Sequence, residues 1–179
     1  YQTIKAEHPD LPAFVSFQAE WYHRAPAVQQ CFVTDLLPYT DMLTISSYPY
    51  IDGQAAAAIP ANYFGALRDL APDKPFAVAE TGWPAEPIGA PYPVAIASDE
   101  AAQSAFLDWL LADAETADAE FVTWFLPRDL DGQWDAGLST SPLAATARIF
   151  RDNGRLAGDG TPRPGLDRWR EALAEPLDR

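Results

Sequence analysis

Short runs of apolar and β-branched residues alternate along the chain with longer stretches whose apolar residues recur every three or four positions. The short runs are typical of buried strands, and the longer stretches are typical of helices packed on one side. The short runs predict strands over residues 11–18, 41–48, 76–80 and 121–125. The longer stretches predict helices over 26–37, 62–70 and 166–174, and a further helix that begins at the N-cap residue Ser98.

Strands that alternate with helices at intervals of about 30 to 45 residues indicate right-handed βαβ connections and a parallel sheet. The predicted fold class is therefore α/β, with no domain boundary inside residues 1–179. An open doubly wound sheet is one arrangement, although no glycine-rich phosphate loop follows any strand. The other is half of a (β/α)8 barrel, a fold that typically needs about 250 residues. Because the chain begins at Tyr1 inside a helical pattern, we expect a fragment that lacks the N-terminal half of such a barrel.

Charge narrows the classes of function. The 179 residues carry 12 Lys and Arg against 26 Asp and Glu, which gives a net charge of -14. Such a chain repels phosphate backbones and anionic lipid, so we expect neither a nucleic-acid partner nor a membrane partner. No apolar run is long enough for a membrane span and no signal peptide is visible. The single cysteine, Cys31, excludes an internal disulfide.

The candidate chemistry lies where the strands end. Both α/β arrangements place their active sites at the carboxyl ends of parallel strands. Alternation along the third strand predicts that Phe76, Val78 and Glu80 point to one face, and we expect Tyr48 of the second strand to share that face. The residues at or just after the four strand ends are polar or aromatic: Gln18, Tyr48, Glu80, Trp83 and Trp124.

A carboxylate ringed by aromatic side chains suits carbohydrate chemistry. Sugar rings stack their C–H faces on aromatic planes, and their hydroxyls bond to amide, phenol and carboxylate groups. Glycoside hydrolysis needs two carboxyl groups, one to protonate the leaving oxygen and one to attack the anomeric carbon or activate water. Glu80 is the candidate for one of these two groups.

Four segments resemble the clan A glycoside hydrolases, and within that clan the arabinogalactan endo-β-1,4-galactanase-like group. They read Ser-Ser-Tyr-Pro-Tyr at 46–50, Ala-Glu-Thr-Gly-Trp-Pro at 79–84, Val-Thr-Trp-Phe at 122–125 and Gly-Thr-Pro-Arg-Pro-Gly-Leu-Asp-Arg-Trp at 160–169. The resemblance spans nearly the whole chain and matches strands five to eight of the family's barrel.

The resemblance implies a role for each matching residue. Glu80 would be the nucleophile of a retaining mechanism, Tyr48 would orient it, and Trp124 would form a sugar platform. Gln18 and Trp83 are the remaining candidates for substrate contact. The family's acid/base glutamate follows an asparagine at the end of strand four, and no Asn-Glu pair occurs in this sequence. We therefore expect the acid/base to come from a missing N-terminal half-barrel, or the barrel to be closed by a second copy.

Two other readings stay open: a catalytically silent carbohydrate-binding half-barrel, and a doubly wound domain with an unrelated ligand. Glu20 is the fallback acid if the chain is complete, and Asp129 and Asp131 are expected to be solvated loop charges. His8 and His23 lie too far apart in sequence to predict a metal pair, and no Cys/His cluster occurs, so we predict no metal and no cofactor. Because polysaccharides lie outside cells, we expect an extracellular or periplasmic location.

Overall fold

The computed structural model describes residues 1–175 and contains one four-stranded sheet in the order β1-β2-β3-β4. The strands are β1 (Phe14–Gln18), β2 (Met42–Ser47), β3 (Phe76–Thr81) and β4 (Ala119–Trp124). Strand β1 pairs with β2 in parallel, and β2 pairs with β3 in parallel. All four predicted strands are confirmed, and with them the α/β class with parallel strands.

Eight α-helices occur in the described part of the chain. They are α1 (Gln2–Glu7), α2 (Ala19–Arg24), α3 (Pro26–Leu36), α4 (Gly65–Arg68), α5 (Glu100–Thr116), α6 (Asp131–Asp135), α7 (Ala144–Phe150) and α8 (Gly165–Ala174). Helices α3, α5 and α8 lie where the apolar spacing predicts them. The predicted N-cap Ser98 is wrong, because α5 begins at Glu100 and the side chain of Asp99 accepts from the backbone nitrogen of Ala102 at 2.7 Å. Within residues 1–175, no helix combines the length and the apolar character that a membrane crossing requires.

The helix face of the sheet carries the apolar side chains of the three paired strands. Leu43 lies opposite Phe76 and Ile45 lies opposite Val78, and all four side chains are fully buried. Paired residues of parallel strands point to the same side, so Phe76 and Val78 share the face of Leu43 and Ile45. Phe76 there packs against Phe64, with ring centroids 6.2 Å apart. The prediction that Phe76 and Val78 share a face with Glu80 is therefore wrong.

A register shift explains why Glu80 nevertheless reaches the other side. The pairing of β2 with β3 shifts between Ile45 and Ser46, so that Ser46 lies opposite Glu80 while Ala79 is the extra residue. Such a bulge reverses the alternation of all later side chains on its strand. Glu80 is thereby placed on the face opposite Phe76 and Val78, which we call the open face.

The open face is only partly covered. Ser46 and Ser16 meet on it, with 2.8 Å between their hydroxyl oxygens. Phe14 of β1 and Phe121 of β4 approach with ring centroids 6.0 Å apart, although these strands are the two edges of the sheet. A flat sheet would separate strands in these positions by about 14 Å. The ring contact therefore indicates strong curvature toward the open face, as in a barrel wall.

The described residues divide into two compact units. The first contains Tyr1–Tyr48, Pro60–Thr81 and Ala112–Thr123, and the second contains residues 49–59, 82–111 and 124–175. The sheet supplies the core of the first unit. The prediction of a single domain over 1–179 includes four residues, 176–179, that lie outside the described range, and it stays a prediction.

An aromatic cluster forms the core of the second unit. The ring of Trp83 stacks on Phe106 with centroids 4.8 Å apart, and Trp124 approaches the same Phe106 ring at 5.9 Å. Trp169 of α8 and the guanidinium of Arg155 cover Trp124 further, at 6.2 Å and 4.2 Å. The last helix is thus packed onto this cluster by one large aromatic contact.

Asp113 of α5 fixes the chain segment that precedes α4. Its buried carboxylate accepts hydrogen bonds from the backbone nitrogens of Asn62, at 2.6 Å, and Phe64, at 2.9 Å. Asn62 has a φ angle of 63°, in the left-handed region, so the segment turns sharply at this point. The carboxylate satisfies two amide groups that this turn leaves without helical partners.

We expect Asp113→Ala to lower the free energy of unfolding by about 1–3 kcal/mol, because it leaves a buried amide donor unsatisfied. Urea unfolding followed by tryptophan fluorescence measures the change. The matched control is Asp73→Ala, which removes an exposed aspartate and should change stability by less than about 0.5 kcal/mol. Equal stability of the two variants would contradict the assignment of Asp113.

Candidate active site at the strand ends

Glu80 and Tyr48 form the centre of the candidate site. Glu80 is the next-to-last residue of β3, and Tyr48 directly follows β2. The hydroxyl of Tyr48 donates a short hydrogen bond to Oε1 of Glu80. Tyr48 is buried, whereas Glu80 is half-buried and faces the open side of the sheet. The structure therefore brings these two predicted site residues into direct contact.

The ends of β2 and β3 are held together next to this pair. The hydroxyl of Thr81 donates to the backbone oxygen of Ser47 at 2.7 Å, and both residues are fully buried. Ser47 and Thr81 are also opposite each other in the register that follows the bulge. This contact fixes the two strand termini from which Tyr48 and Glu80 project.

Glu20 is a buried carboxylate in the same unit, two residues after β1. It is only 2% exposed. Its Oε1 accepts hydrogen bonds from Ser47 Oγ at 2.8 Å, from the backbone nitrogen of Tyr48 at 2.9 Å, and from Tyr63 Oη at 3.4 Å. Burial raises the pKa of Glu20, although the hydrogen bonds from Ser47 and Gln18 oppose this effect. Both carboxylate oxygens are engaged, because Oε2 accepts from Gln18.

Gln18, the last residue of β1, therefore contacts Glu20. Its Nε2 donates a short hydrogen bond to Oε2 of that carboxylate, and its side chain is half-buried. Gln18 lies opposite Ser46, on the open face of the sheet. Its role as a substrate-binding residue stays a prediction, and its present contact orients Glu20.

Glu20 does not have the surroundings expected of a general acid. A general acid must reach the leaving oxygen of the substrate, directly or through one water molecule. The carboxylate of Glu20 is instead enclosed by protein donors on both oxygens. The sequence draws attention to Glu20 because it follows a strand end, but no sequence pattern predicts that Ser47, Tyr48 and Tyr63 converge on it.

Trp83 and Trp124 lie in the second unit, and both rings are covered by protein. Trp83 is 1% exposed and donates from its indole nitrogen to Ser98 Oγ at 3.0 Å. Trp124 is 7% exposed, and its indole nitrogen donates to the backbone oxygen of Asn153 at 2.7 Å. Packing accounts for both rings in the structure, while their contact with substrate stays a prediction.

Asp129 differs from the solvated loop charge that the sequence suggests. It is 5% exposed, forms a short ion pair with Arg163, and accepts a hydrogen bond from the backbone nitrogen of Gly154 at 2.7 Å. Burial raises the pKa of Asp129, against the lowering effect of Arg163. Asp131 also has a partner, because Arg151 binds its carboxylate at 2.6 Å. Both aspartates therefore act in ion pairs of the second unit.

One group of carboxylates has the spacing of a metal site. Oxygens of Glu86, Asp129 and Asp152 lie within 4.8 Å of one another. Arginines already balance this group, since Arg163 contacts both Glu86 and Asp129, and Arg148 binds Asp152 at 2.5 Å. A divalent cation would have to enter beside these guanidinium groups, so the donors fit an ion-pair network better than a metal centre.

A cleft of about 590 Å³ lies in the second unit, within the loops that follow β4. Its lining includes Arg128, Asp129 and Gln133. The volume is within the usual range for small-ligand sites. The carboxylate of Asp129 is engaged by Arg163 at this cleft, and Arg128 donates from Nε to the backbone oxygen of Ala157 at 3.4 Å.

Comparison with known proteins identifies the fold from structure alone. No family model matches the sequence, and no curated protein matches it either. Several solved structures do match the fold. An endo-laminarinase from Formosa Hel1_33_131 aligns with a TM-score of 0.61 at 18% identity, over 98% of this chain and 52% of its own.

Two further structures extend this likeness. A Rhizomucor miehei β-1,3-glucanosyltransferase, solved as an active-site mutant with laminaritriose, aligns with a TM-score of 0.55 at 16% identity, over 92% of this chain and 53% of its own. A Bacteroides uniformis β-glucuronidase, covalently bound to a cyclophellitol-6-carboxylate aziridine, aligns with a TM-score of 0.64 at 14% identity, over 98% of this chain and 19% of its own.

The chain has the fold of about half a TIM barrel. Its neighbours are TIM-barrel glycoside hydrolases, and the chain spans about half the length of the first two. The likeness to glycoside hydrolases of this barrel type is therefore confirmed at the level of fold. The likeness to the galactanase group within them is not confirmed, and it stays a prediction.

Burial of Glu20 predicts a pH dependence of stability. Because its pKa is raised in the folded state, the folded protein binds more protons than the unfolded chain between about pH 4.3 and the raised pKa. The contribution of Glu20 to the free energy of unfolding therefore falls as the pH rises from about 4.3 to the raised pKa. Glu20→Gln removes the titration, so the stability of the variant relative to wild type should increase with pH.

Urea unfolding of both proteins from about pH 4 to about pH 8 measures this difference. Glu115→Gln is the matched control, because Glu115 is exposed on α5 of the same unit. Its stability relative to wild type should vary little with pH. A difference between Glu20→Gln and wild type that stays constant over the whole range would contradict the effect of burial on Glu20.

Proposed function

We propose that the chain is part of a retaining glycoside hydrolase that acts on a β-linked oligo- or polysaccharide, with Glu80 as the nucleophile. The observation that carries the proposal is the hydrogen bond from Tyr48 to Glu80 at the carboxyl ends of adjacent parallel strands. Active sites of TIM-barrel enzymes lie at this end of the strands. The glycosidase-like fold of the structural neighbours supports the same reading.

The proposed reaction begins when a carboxylate oxygen of Glu80 attacks the anomeric carbon. The bond from that carbon to the leaving oxygen breaks, and a covalent glycosyl-enzyme forms. Tyr48 holds one oxygen of Glu80 through its hydroxyl, which orients the carboxylate for this attack. Water then hydrolyses the ester between the sugar and Glu80, releases the sugar, and regenerates the carboxylate.

The acid/base group is proposed to come from outside this chain. A proton must be delivered to the leaving oxygen in the first step and removed from water in the second. The family's acid/base glutamate follows an asparagine, and the sequence contains no Asn-Glu pair. We propose that an N-terminal half-barrel supplies this group and completes one barrel domain, because a second copy of the chain would close the barrel without adding an Asn-Glu pair.

The remaining assignments follow from the proposed activity. The substrate would be a β-linked glycan, and the neighbours that are named for laminarin and glucuronides make glucosyl and glucuronyl units first candidates beside galactosyl units. Gln18, Trp83 and Trp124 remain the proposed substrate contacts. We propose an extracellular or periplasmic location, where polysaccharides are found.

A catalytically silent carbohydrate-binding half-barrel is the second candidate function. The absence of an Asn-Glu pair in this sequence favours it, because one of the two required carboxyl groups has no counterpart here. The buried position of Glu20 adds support, since it removes the fallback acid. Under this reading the chain binds glycan and does not form a glycosyl-enzyme.

A mechanism-based reagent separates the two candidates. A 2,4-dinitrophenyl 2-deoxy-2-fluoro-β-glycoside has a leaving group that departs without protonation, so the missing acid is bypassed. We expect the gluco, galacto or glucuronyl reagent to add one glycosyl unit to the protein, which intact-mass measurement detects. Peptide mapping should place the adduct on Glu80.

Glu80→Gln should abolish the adduct, and Glu115→Gln, which alters an exposed carboxylate, should leave it unchanged. An adduct on another residue, or one that persists in Glu80→Gln, would remove Glu80 from the nucleophile role. Absence of any adduct from a chain that binds β-glycans in calorimetry would favour the silent binding module.

A further inference from the structure

The proposed chemistry assigns no task to Glu20, although its surroundings are unusual. Its side chain is 2% exposed, and its hydrogen-bond partners in the described chain are all neutral: Gln18, Ser47, Tyr48 and Tyr63. Burying a carboxylate without a cation is unfavourable unless several donors satisfy its oxygens. The four donors meet this requirement, and they come from three separate segments of the first unit.

The donors connect Glu20, through the backbone, to the contact between Tyr48 and Glu80. Two of the bonds to Oε1 come from consecutive residues, Ser47 through its hydroxyl and Tyr48 through its amide. Strand β2 ends at Ser47, and the side chain of the next residue, Tyr48, extends to Glu80 and donates to its carboxylate. Glu20 thus binds the main chain of the residue whose hydroxyl binds the nucleophile.

The chemical type of Glu20 matters for this contact. An ionised carboxylate only accepts hydrogen bonds, whereas an amide side chain presents a donor at one of its two ends. A carboxylate therefore holds the Ser47 hydroxyl and the Tyr48 amide while Gln18 donates to the other oxygen. A glutamine at position 20 would have to turn its own donor toward one of these groups.

We propose that Glu20 is a positioning residue that fixes the end of β2 so that the Tyr48 hydroxyl donates to Glu80. The catalytic meaning of this inference rests on the proposed function of Glu80. The geometric part concerns the Tyr48–Glu80 hydrogen bond alone, and it can be tested whether or not the chain reacts with a sugar.

NMR of protein labelled with 13C at the ζ carbon of tyrosine tests the geometric part. The chain contains 7 tyrosines, so the spectrum is simple and Tyr48→Phe assigns the Tyr48 signal by its disappearance. Glu80→Ala gives the position of the Tyr48 signal without its acceptor. We expect Glu20→Ala to move the signal toward that position, and Glu20→Gln to move it in the same direction by a smaller amount.

Asp152→Asn is the matched control, because Asp152 is also a buried carboxylate but lies in the second unit, where Arg148 binds it. It should lower stability and leave the Tyr48 signal unchanged. A Tyr48 signal that stays at the wild-type position in folded Glu20→Gln and Glu20→Ala would overturn the inference. The isosteric glutamine variant keeps the test available if the alanine variant does not fold.

Kinetics of covalent labelling test the catalytic part. Misplacement of the nucleophile should lower the limiting rate constant for labelling of Glu80 roughly 10- to 100-fold in Glu20→Gln, while the reagent concentration at half-maximal rate changes little. Asp152→Asn should keep the wild-type rate. A labelling rate unaffected in Glu20→Gln would overturn this part, whereas a wild-type chain that never reacts counts against the proposed function and leaves the NMR result decisive for positioning.

Discussion

The register shift between β2 and β3 is the constraint on which the candidate site depends. Up to Val78 the side chains of β3 follow those of β2, and the large residues point into the packed helix face. With an unbroken register Glu80 would continue on that face, beside Phe76 and Val78, as a buried carboxylate among apolar groups. The extra residue Ala79 reverses the alternation, so the glutamate emerges on the open face within reach of Tyr48. One additional residue in the strand therefore decides whether the carboxylate of Glu80 points into the apolar core or onto the open face.

The same segment explains why a second carboxylate is tolerated in the interior. At the end of β2, Glu20 accepts hydrogen bonds from the backbone amide of Tyr48 and from the hydroxyl of Ser47. The free energy lost by burying this charge is offset only while all its donors are in place, so the carboxylate and the strand end stabilise each other in a single geometry. Burial raises the pKa of Glu20, which shows the remaining penalty on its charged form.

Much of the fold could be predicted from sequence because its strands and longer helices are coded by local patterns. The apolar runs and their boundaries were sufficient to predict the strands that end at Gln18 and Trp124. The face of Glu80 was predicted correctly for the wrong reason, since alternation alone cannot reveal a bulge that depends on pairing with a strand distant in sequence. The contacts of Glu20 were not predictable, because they join β1, β2 and the segment before α4. Trp83 and Trp124 were assigned to substrate contact because they lie near strand ends. The sequence pattern is the same whether such a ring stacks on a sugar or, as in this structure, packs against Phe106.

Under the proposed function, a chain that forms only half of a barrel can still hold one of the two carboxyl groups of the reaction in place. The described groups that hold the proposed nucleophile come from β1, α2, β2, β3 and the segment before α4, which all belong to the first unit. No group that orients Glu80 in the described residues has to be borrowed from another half of a barrel. Proton transfer to the leaving oxygen is the separate task, and it needs only a group placed across the substrate from Glu80. The two tasks can therefore be carried by different halves, because attack and protonation meet at the substrate and do not require direct contact between the two carboxyl groups.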